Sequence, residues 1–472
     1  MIIIEKGGCL WYNFLRGDSV SIPSPMVFVT IINIGFMLLV VFVQRRNTAA
    51  TWAWLAAVAL VPIGGFVMYM VLGQDSRKQK VFLKKTEDDE LLLASYQGMG
   101  ANEGEPTYDN KITVFHDGAS KFDALLVDIA GAKDFIFAQY YIIRGDEVAQ
   151  QFIAALAERA RAGVEVWLLS DGMGCHYTPE EVFKPLLDAG GKLGLFMPPV
   201  PVRINFRNHR KIVVIDGKLS YLGGSNIGRE YVSQSERFGF WRETHMRLAG
   251  GAIAPLALRF IMDWNCDSTE KAEKIQLNPR YFPKSPSQEP GARVTVVSSG
   301  PDTRYPNVLH SVIRMIMDAK ESIYIQSPYF VPDDALFTAL RIAALSGVDV
   351  RIMYPANPDH PFVYWAGSSY VGELMCAGVR GYEYTNGFIH SKAIMVDSKI
   401  CAMGTANMDV RSFKINFETH AFIEDADITR ELEEAFFRDM QASRALTLEE
   451  YNARPRRTKI KESISRLFSP LL

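Results

Sequence analysis

Two stretches of this chain bring together the residue types that attack at phosphorus and proton transfer require. The first reads Asn208-His209-Arg210-Lys211-Ile212-Val213-Val214-Ile215-Asp216 and the second His390-Ser391-Lys392-Ala393-Ile394-Met395-Val396-Asp397. Both have the form HxKxxxxD. In each, His and Lys open a run of β-branched and apolar residues, so strand alternation puts both on one face, aimed at the same place. Asn226 follows His209 by 17 residues, Asn407 follows His390 by 17, and Glu243-Thr244-His245 and Glu418-Thr419-His420 close the two units. A lone His on a strand is more often a satisfied structural residue. Two copies that agree in His, Lys, Asp, Asn and Glu, in order and at nearly equal spacing, mark a site instead. Exchange at a phosphodiester needs a nucleophile, an acid for the departing alkoxide and positive charge around the equatorial oxygens. Two imidazoles, two ammonium groups and two amides supply that set.

The elements that must position these residues are themselves duplicated. Ala132-Lys133-Asp134-Phe135-Ile136-Phe137-Ala138-Gln139 is answered by Ala319-Lys320-Glu321-Ser322-Ile323-Tyr324-Ile325-Gln326. Each is followed by an Ala- and Leu-rich helix and then by a turn into another strand, Gly163-Val164-Glu165-Val166 in one half and Gly347-Val348-Asp349-Val350 in the other. Helix alternating with strand predicts α/β layers. Two units are too few for a solenoid, and each is long enough for its own sheet, so a pseudo-symmetric packed pair with the site on the axis between them is expected.

At 472 residues the chain exceeds one hydrophobic core. Its 51 Lys and Arg against 53 Asp and Glu argue against a protein that wraps nucleic acid through a basic face. The five cysteines (Cys9, Cys175, Cys266, Cys376, Cys401) are scattered without CxxC spacing, so neither a disulfide framework nor a zinc site is indicated. Near the start, residues 26–43 and 52–72 are uncharged and apolar, each close to the roughly 20 residues of a spanning helix. Arg77, Lys78, Lys80, Lys84 and Lys85 after the second segment outnumber Arg45 and Arg46 between the two, which places the bulk of the chain on the cytoplasmic side. Residues 74–110, charged and then Gly-rich, read as a polar connector without chemistry.

The paired motifs, with Gly223-Gly224-Ser225-Asn226 and Gly404-Thr405-Ala406-Asn407 behind them, resemble the double signature of the phospholipase D superfamily. Two N-terminal apolar segments, Trp241-Arg242-Glu243-Thr244-His245, Ser327-Pro328-Tyr329-Phe330-Val331-Pro332-Asp333, Pro358-Asp359-His360-Pro361-Phe362-Val363-Tyr364-Trp365 and Asn386-Gly387-Phe388-Ile389-His390 extend the resemblance to the bacterial cardiolipin synthase family along nearly the whole chain. One departure is Glu243, where many members carry Asp; the carboxylate is kept.

The resemblance implies an α/β fold of two phospholipase D-like α/β/α repeats behind two transmembrane helices. The expected order is an anchor over 1–73, a linker over 74–110, repeats over 111–290 and 291–445, and a basic amphipathic tail over 446–472. It implies transfer of a phosphatidyl group from one phosphatidylglycerol to another, through a phosphatidyl-histidine, with no metal or cofactor. The catalytic set would be His209, Lys211 and Asp216 with His390, Lys392 and Asp397, the two aspartates entering as structural partners. His209 would attack and His390 serve as acid and base. Asn226 and Asn407 would donate to the developing charge, and Glu243 and Glu418 would orient the imidazoles. His245 and His420 are open between support and core.

The implied partners are a phospholipid and a membrane, with no nucleic acid and no stated oligomeric state. The implied location is a bacterial inner membrane. The aromatic stretch Phe362, Tyr364, Trp365, Tyr370 and Val371 reads as core or as a bilayer-facing rim. Arg454, Arg456, Arg457, Lys459, Lys461 and Arg466 interleave with Ile460, Ile464, Leu467, Phe468 and Leu471 at helical spacing, which suits an anionic membrane surface, a solvated tail docked on the domain being the other reading. A phospholipase D hydrolase, a tethered phosphodiesterase or nuclease, and an inactive lipid-binding scaffold are the rival readings.

Overall fold

The computed structural model describes residues 48–61, 75–96, 98–196, 205–266, 273–284 and 290–471, with isolated positions 28, 32, 34, 35 and 64. The chain divides into two units, residues 1–81 and 82–472. In the first unit, helix α1 (Thr48–Leu60) is uncharged. Among the described residues no helix is long and apolar enough to cross a membrane. The expected span 26–43, apart from positions 28, 32, 34 and 35, and most of 52–72 beyond residue 61 lie outside the described residues. Helix α2 (Asp75–Tyr96) follows.

In the second unit the first repeat runs β1 (Pro106–Asp117), α3 (Gly118–Ala130), β2 (Phe135–Tyr140), α4 (Glu147–Arg161), β3 (Glu165–Asp171), β4 (Lys192–Phe196), β5 (Ile212–Ile215), β6 (Leu219–Gly223), β7 (Trp241–Ala249) and α5 (Ile253–Asn265). The next begins β8 (Ala292–Ser299), α6 (Asn307–Asp318), β9 (Ser322–Gln326), β10 (Phe330–Val331), α7 (Asp334–Leu345), β11 (Asp349–Pro355) and α8 (Pro361–Met375). It continues with β12 (Arg380–Tyr384), β13 (Phe388–Ile389), β14 (Ala393–Val396), β15 (Ile400–Gly404), β16 (Met408–Asp409), β17 (Glu418–Glu424), α9 (Ala426–Gln441), β18 (Ser443–Ala445) and α10 (Arg456–Leu467). Asp146 and Asp333, at matching places, cap α4 and α7 by accepting from Ala149 N and Leu336 N.

The two repeats do not hold separate sheets. Strand order β4-β3-β2-β5-β6-β7-β1 in one half is mirrored by β12-β11-β9-β14-β15-β17-β8 in the other, and β1 pairs antiparallel with β8 to make one sheet. That join covers two edges that would otherwise present unpaired backbone. Each half keeps its own apolar core, around Ile136, Phe152, Leu168 and Val213 in one and Ile323, Leu340, Ile352 and Ile394 in the other. The central strands β2, β5, β9 and β14 are buried throughout, which their near-continuous apolar runs require.

One expectation needs correction. Residues 82–110 are not a loose connector: Phe82 and Lys85 of α2 are buried and β1 already starts at Pro106. Lys85 lies 2.9 Å from Asp302, 2.5 Å from Asp89 and 3.8 Å from Asp263, and these carboxylates offset the burial that a free ammonium could not sustain. The C-terminal segment, expected as a basic amphipathic tail, forms helix α10. It docks on α8 by its polar face, with Arg466 bonded to Glu373 at 2.7 Å and the buried Glu462 accepting from Arg454 at 2.7 Å. Ile460, Ile464, Leu467 and Phe468 stay exposed. In the aromatic stretch of α8, Val371 is core and Phe362 is exposed.

Candidate active site

Each HxK segment is hooked onto the opposite repeat just before its strand begins. His209 N donates to Phe417 O at 3.0 Å, and His390 N donates to Arg242 O at 2.7 Å. Phe388 and Ile389 pair in parallel with Trp241 and Arg242, next to Glu243; Asn208 bridges Phe417, next to Glu418. The backbone therefore sets each histidine beside the other repeat's glutamate. His209 Nδ1 lies 2.9 Å from Glu418 Oε1, and His390 Nδ1 lies 2.8 Å from Glu243 Oε2. With Nδ1 engaged, Nε2 is the nitrogen left for chemistry in both rings.

The glutamates are held unequally. Glu418 also accepts from Thr405 Oγ1 at 2.5 Å and Asn416 Nδ2 at 3.2 Å, whereas Glu243 accepts from its neighbour's amide, Thr244 N, at 2.9 Å. The position matching Thr405 is Gly224, where an added Cβ would come within 2.6 Å of Glu243 Oε1 and 3.1 Å of Lys392 Nζ. A side chain there would have to displace that carboxylate from its place beside His390.

Lys211 Nζ donates to His209 O at 2.6 Å, and Lys392 Nζ to His390 O at 2.8 Å, so each ammonium is folded back against its own histidine. Burial pushes Lys392 down to about 8 and Lys211 well below the ordinary lysine value, despite both glutamates. Burial likewise lowers His390, and takes His209 to about 4 against the pull of Glu418. Burial alone would raise Glu243 and Glu418, but the facing His and Lys keep both below the usual carboxylate value.

Both histidines open onto one cavity of about 540 Å³, lined also by Asn226, Asn407, Tyr141, Tyr231, Trp241 and Arg411. Asn226 Oδ1 accepts from Ile142 N at 3.1 Å, which turns its amide nitrogen away from that backbone. His209 packs against Tyr141 (5.1 Å between centroids) and His390 against Trp241 (5.1 Å).

Asp216 and Asp397 stand away from this cavity. Asp216 accepts from Lys133, Asp134 and Phe135 N, and Asp397 from Lys320, Glu321 and Ser322 N, all within 2.7 to 3.3 Å. Both have φ in the left-handed region, at 52° and 54°. They tie each hairpin to the start of β2 or β9. His245 and His420 are wholly buried, behind Gly223 and Gly404, whose missing side chains let the rings approach. Sequence reasoning missed Asp263, which accepts from Gln139 at 2.8 Å, Asn208 at 2.9 Å and Arg210 at 2.6 Å and so braces the first motif from α5. Asp439 does the same from α9 for Gln326 and Arg242, each at 2.8 Å. The repeat of Gln139 and Gln326 was the available signal.

Residues 125–241 and 312–440 match the family described as cardiolipin synthase, PLD-like domain. The chain belongs to this family. Residues 31–74 match a second family, described as phospholipase D-nuclease N-terminal. The major cardiolipin synthase ClsA of Bacillus subtilis (strain 168) is 43% identical over 474 residues, covering 94% of this chain and 98% of that protein. A cardiolipin synthase of Listeria welshimeri is 42% identical, covering 95% of this chain and 98% of its own. Among solved structures, phosphatidylserine synthase of Haemophilus influenzae Rd KW20 superposes with a TM-score of 0.61 at 14% identity, over 82% of this chain and all of that one. That likeness concerns the fold. The family match spans both HxK segments' halves of the sheet, in keeping with a site that neither half completes alone.

Proposed function

We propose that the chain is a cardiolipin synthase that joins two phosphatidylglycerol molecules and releases glycerol. The observation that carries this reading is the pair of histidines on one cavity, each held by a glutamate from the opposite repeat, in a chain whose relatives over nearly full length bear that activity in their names.

In the mechanism that suits this geometry, the donor's phosphate sits between Lys211 and Lys392, with Asn226 and Asn407 donating to its equatorial oxygens. His209 Nε2 attacks phosphorus as the P–O bond to glycerol breaks, and His390 Nε2 gives its proton to the departing oxygen. His390 then takes the proton of a second phosphatidylglycerol's primary hydroxyl. The hydroxyl oxygen forms the new P–O bond, the P–N bond breaks, and its electron pair returns to His209. Glu243 stabilises the imidazolium that forms on His390, and the more heavily bonded Glu418 keeps His209 in a fixed tautomer.

The same reading includes an anchored enzyme. The apolar segments 26–43 and 52–72 suit an inner-membrane hairpin with the repeats on the cytoplasmic side, and an anchor concentrates a two-chain lipid at the site. The test is incubation of the detergent-solubilised chain with labelled phosphatidylglycerol. Cardiolipin and glycerol are expected. Phosphatidic acid as the main product would make the enzyme a hydrolase, and neither product would remove the lipid assignment.

A further inference from the structure

A site that binds phosphodiester anions has no electrostatic use for carboxylates on its wall, yet this cavity carries Glu230, Asp359 and Asp409. Asp359 sits in the loop between β11 and α8, with its side chain about four-fifths buried. It accepts a hydrogen bond from the Tyr329 hydroxyl and another from His360 N at 2.8 Å. His360 Nε2 lies 3.7 Å away, and Lys392 is within electrostatic reach. Of the other two, Glu230 is paired with Arg144 at 2.7 Å and Asp409 caps a short helix by accepting from Ser412 N at 2.6 Å. Asp359 is tied down but keeps acceptor capacity, since two oxygens offer about four lone pairs and the two bonds named use two.

Its place in the cavity is not neutral between the two histidines. His390 packs on Trp241 and Tyr231, and Tyr231 is within electrostatic reach of Tyr329, the residue that holds Asp359. His209 stands instead beside Tyr141, which has Asp171, Arg411 and Arg207 within electrostatic reach, Asp171 being paired with Arg207 at 3.1 Å. Through Tyr329 and Tyr231, Asp359 thus belongs to the aromatic side of the cavity, where His390 stands. In-line displacement puts the nucleophile on one side of phosphorus and the alcohol on the other, so the alcohol belongs with the acid and base. The group that arrives and leaves there is a glycerol, whose second hydroxyl needs an acceptor in a region otherwise stocked with donors.

We propose that Asp359, held by Tyr329, accepts a hydrogen bond from the secondary hydroxyl of the glycerol headgroup on the His390 side and so selects a vicinal diol over water or a simple alcohol. The inference rests on the transferase reading and names its acceptor subsite. With the diol bound, its primary hydroxyl loses the proton to His390 Nε2 and its oxygen displaces His209 from phosphorus. A site built to bond a hydroxyl rejects an analogue that lacks it far more strongly than an apolar pocket does.

The experiment uses the full chain in detergent with acyl-labelled phosphatidylglycerol as donor and either 1,2-propanediol or 1-propanol as acceptor, two probes that differ by one hydroxyl. Phosphatidyl-propanediol, phosphatidyl-propanol and phosphatidic acid are separated and their ratios taken, for wild type, Asp359→Ala, Asp359→Asn and Tyr329→Phe. Wild type is expected to favour the diol by about tenfold or more, a preference that falls at least about fivefold in Asp359→Ala and less in the other two, with phosphatidic acid rising. These are ratios within one preparation, so a loss of folded enzyme does not move them. An unchanged diol preference in Asp359→Ala overturns the subsite while leaving the transferase standing. Absence of transfer by wild type to phosphatidylglycerol or either alcohol overturns both.

Discussion

At the scale of single residues, the site is a set of donors and acceptors arranged so that each histidine has one nitrogen committed and one available. Because His209 Nδ1 is held by Glu418 and His390 Nδ1 by Glu243, Glu418→Gln and Glu243→Gln should each lower kcat by about 10²- to 10⁴-fold with little change in thermal unfolding. Steady-state kinetics beside a melting curve checks this; an unaltered kcat would remove the orienting role. The pH dependence follows from Lys392, whose burial brings it to about 8. Its charge is present below that value and is lost as pH rises through it, so kcat/KM, already falling with rising pH as the lowered His390 and Lys211 lose their protons, should lose the Lys392 share near pH 8. Lys392→Arg, which stays charged, should move that fall to higher pH whatever its absolute rate. His209, at about 4, stays neutral down to that pH and adds no acid-side loss above about pH 5. Asp216→Ala removes a carboxylate that accepts three backbone N–H groups, and should destabilise the fold by about 2 kcal/mol or more while the folded fraction keeps its turnover. The paired His, Lys, Asn and Glu were legible because duplication makes a chance match implausible. Asp359, Asp263 and the crossing of the two His–Glu pairs were not, since a single aspartate in a loop or on a helix carries no periodic signal and sequence spacing says nothing about which repeat supplies a partner.

Among the elements, strands and their order could be read from the repeat, while the join between halves could not. Alternation and the Gly-Val turns locate β2, β3, β9 and β11, but the β1 to β8 pairing depends on two edges meeting in space. Helix α2 was misread for a physical reason: Lys84-Lys85 followed by Glu87-Asp88-Asp89-Glu90 looks like a solvated run until Asp302 and Asp263, more than 170 residues on, close around Lys85. Removing that ammonium leaves buried carboxylates uncompensated. Lys85→Met should therefore destabilise residues 82–472 by about 3 to 5 kcal/mol, read as a lowered unfolding midpoint. A midpoint within error of wild type would show that the cluster is wetter than its burial suggests. Helix α10 had the right amphipathic spacing, yet its polar face is the one that docks, through Arg466 and Glu462, because Glu373 of α8 and Arg454 are there to meet it.

Over the whole molecule, the exchange of partners between repeats makes the site a property of the pair. A transferase that passes a phosphatidyl group through one histidine and a proton through the other needs two unlike environments, and the near-symmetric sheet supplies them by small departures: Thr405 against Gly224 and Arg210 against Ser391. The measurement that tests this division of labour most directly is trapping of the covalent intermediate. The chain is mixed briefly with phosphatidylglycerol labelled at phosphorus, quenched in base, digested, and its labelled peptide identified, for wild type, His209→Asn and His390→Asn. Label on the peptide that contains His209, formed more slowly in His390→Asn and absent from His209→Asn, is the expected result. Label on the His390 peptide would reverse the two roles, and turnover without label on either histidine would contradict the two-displacement account itself.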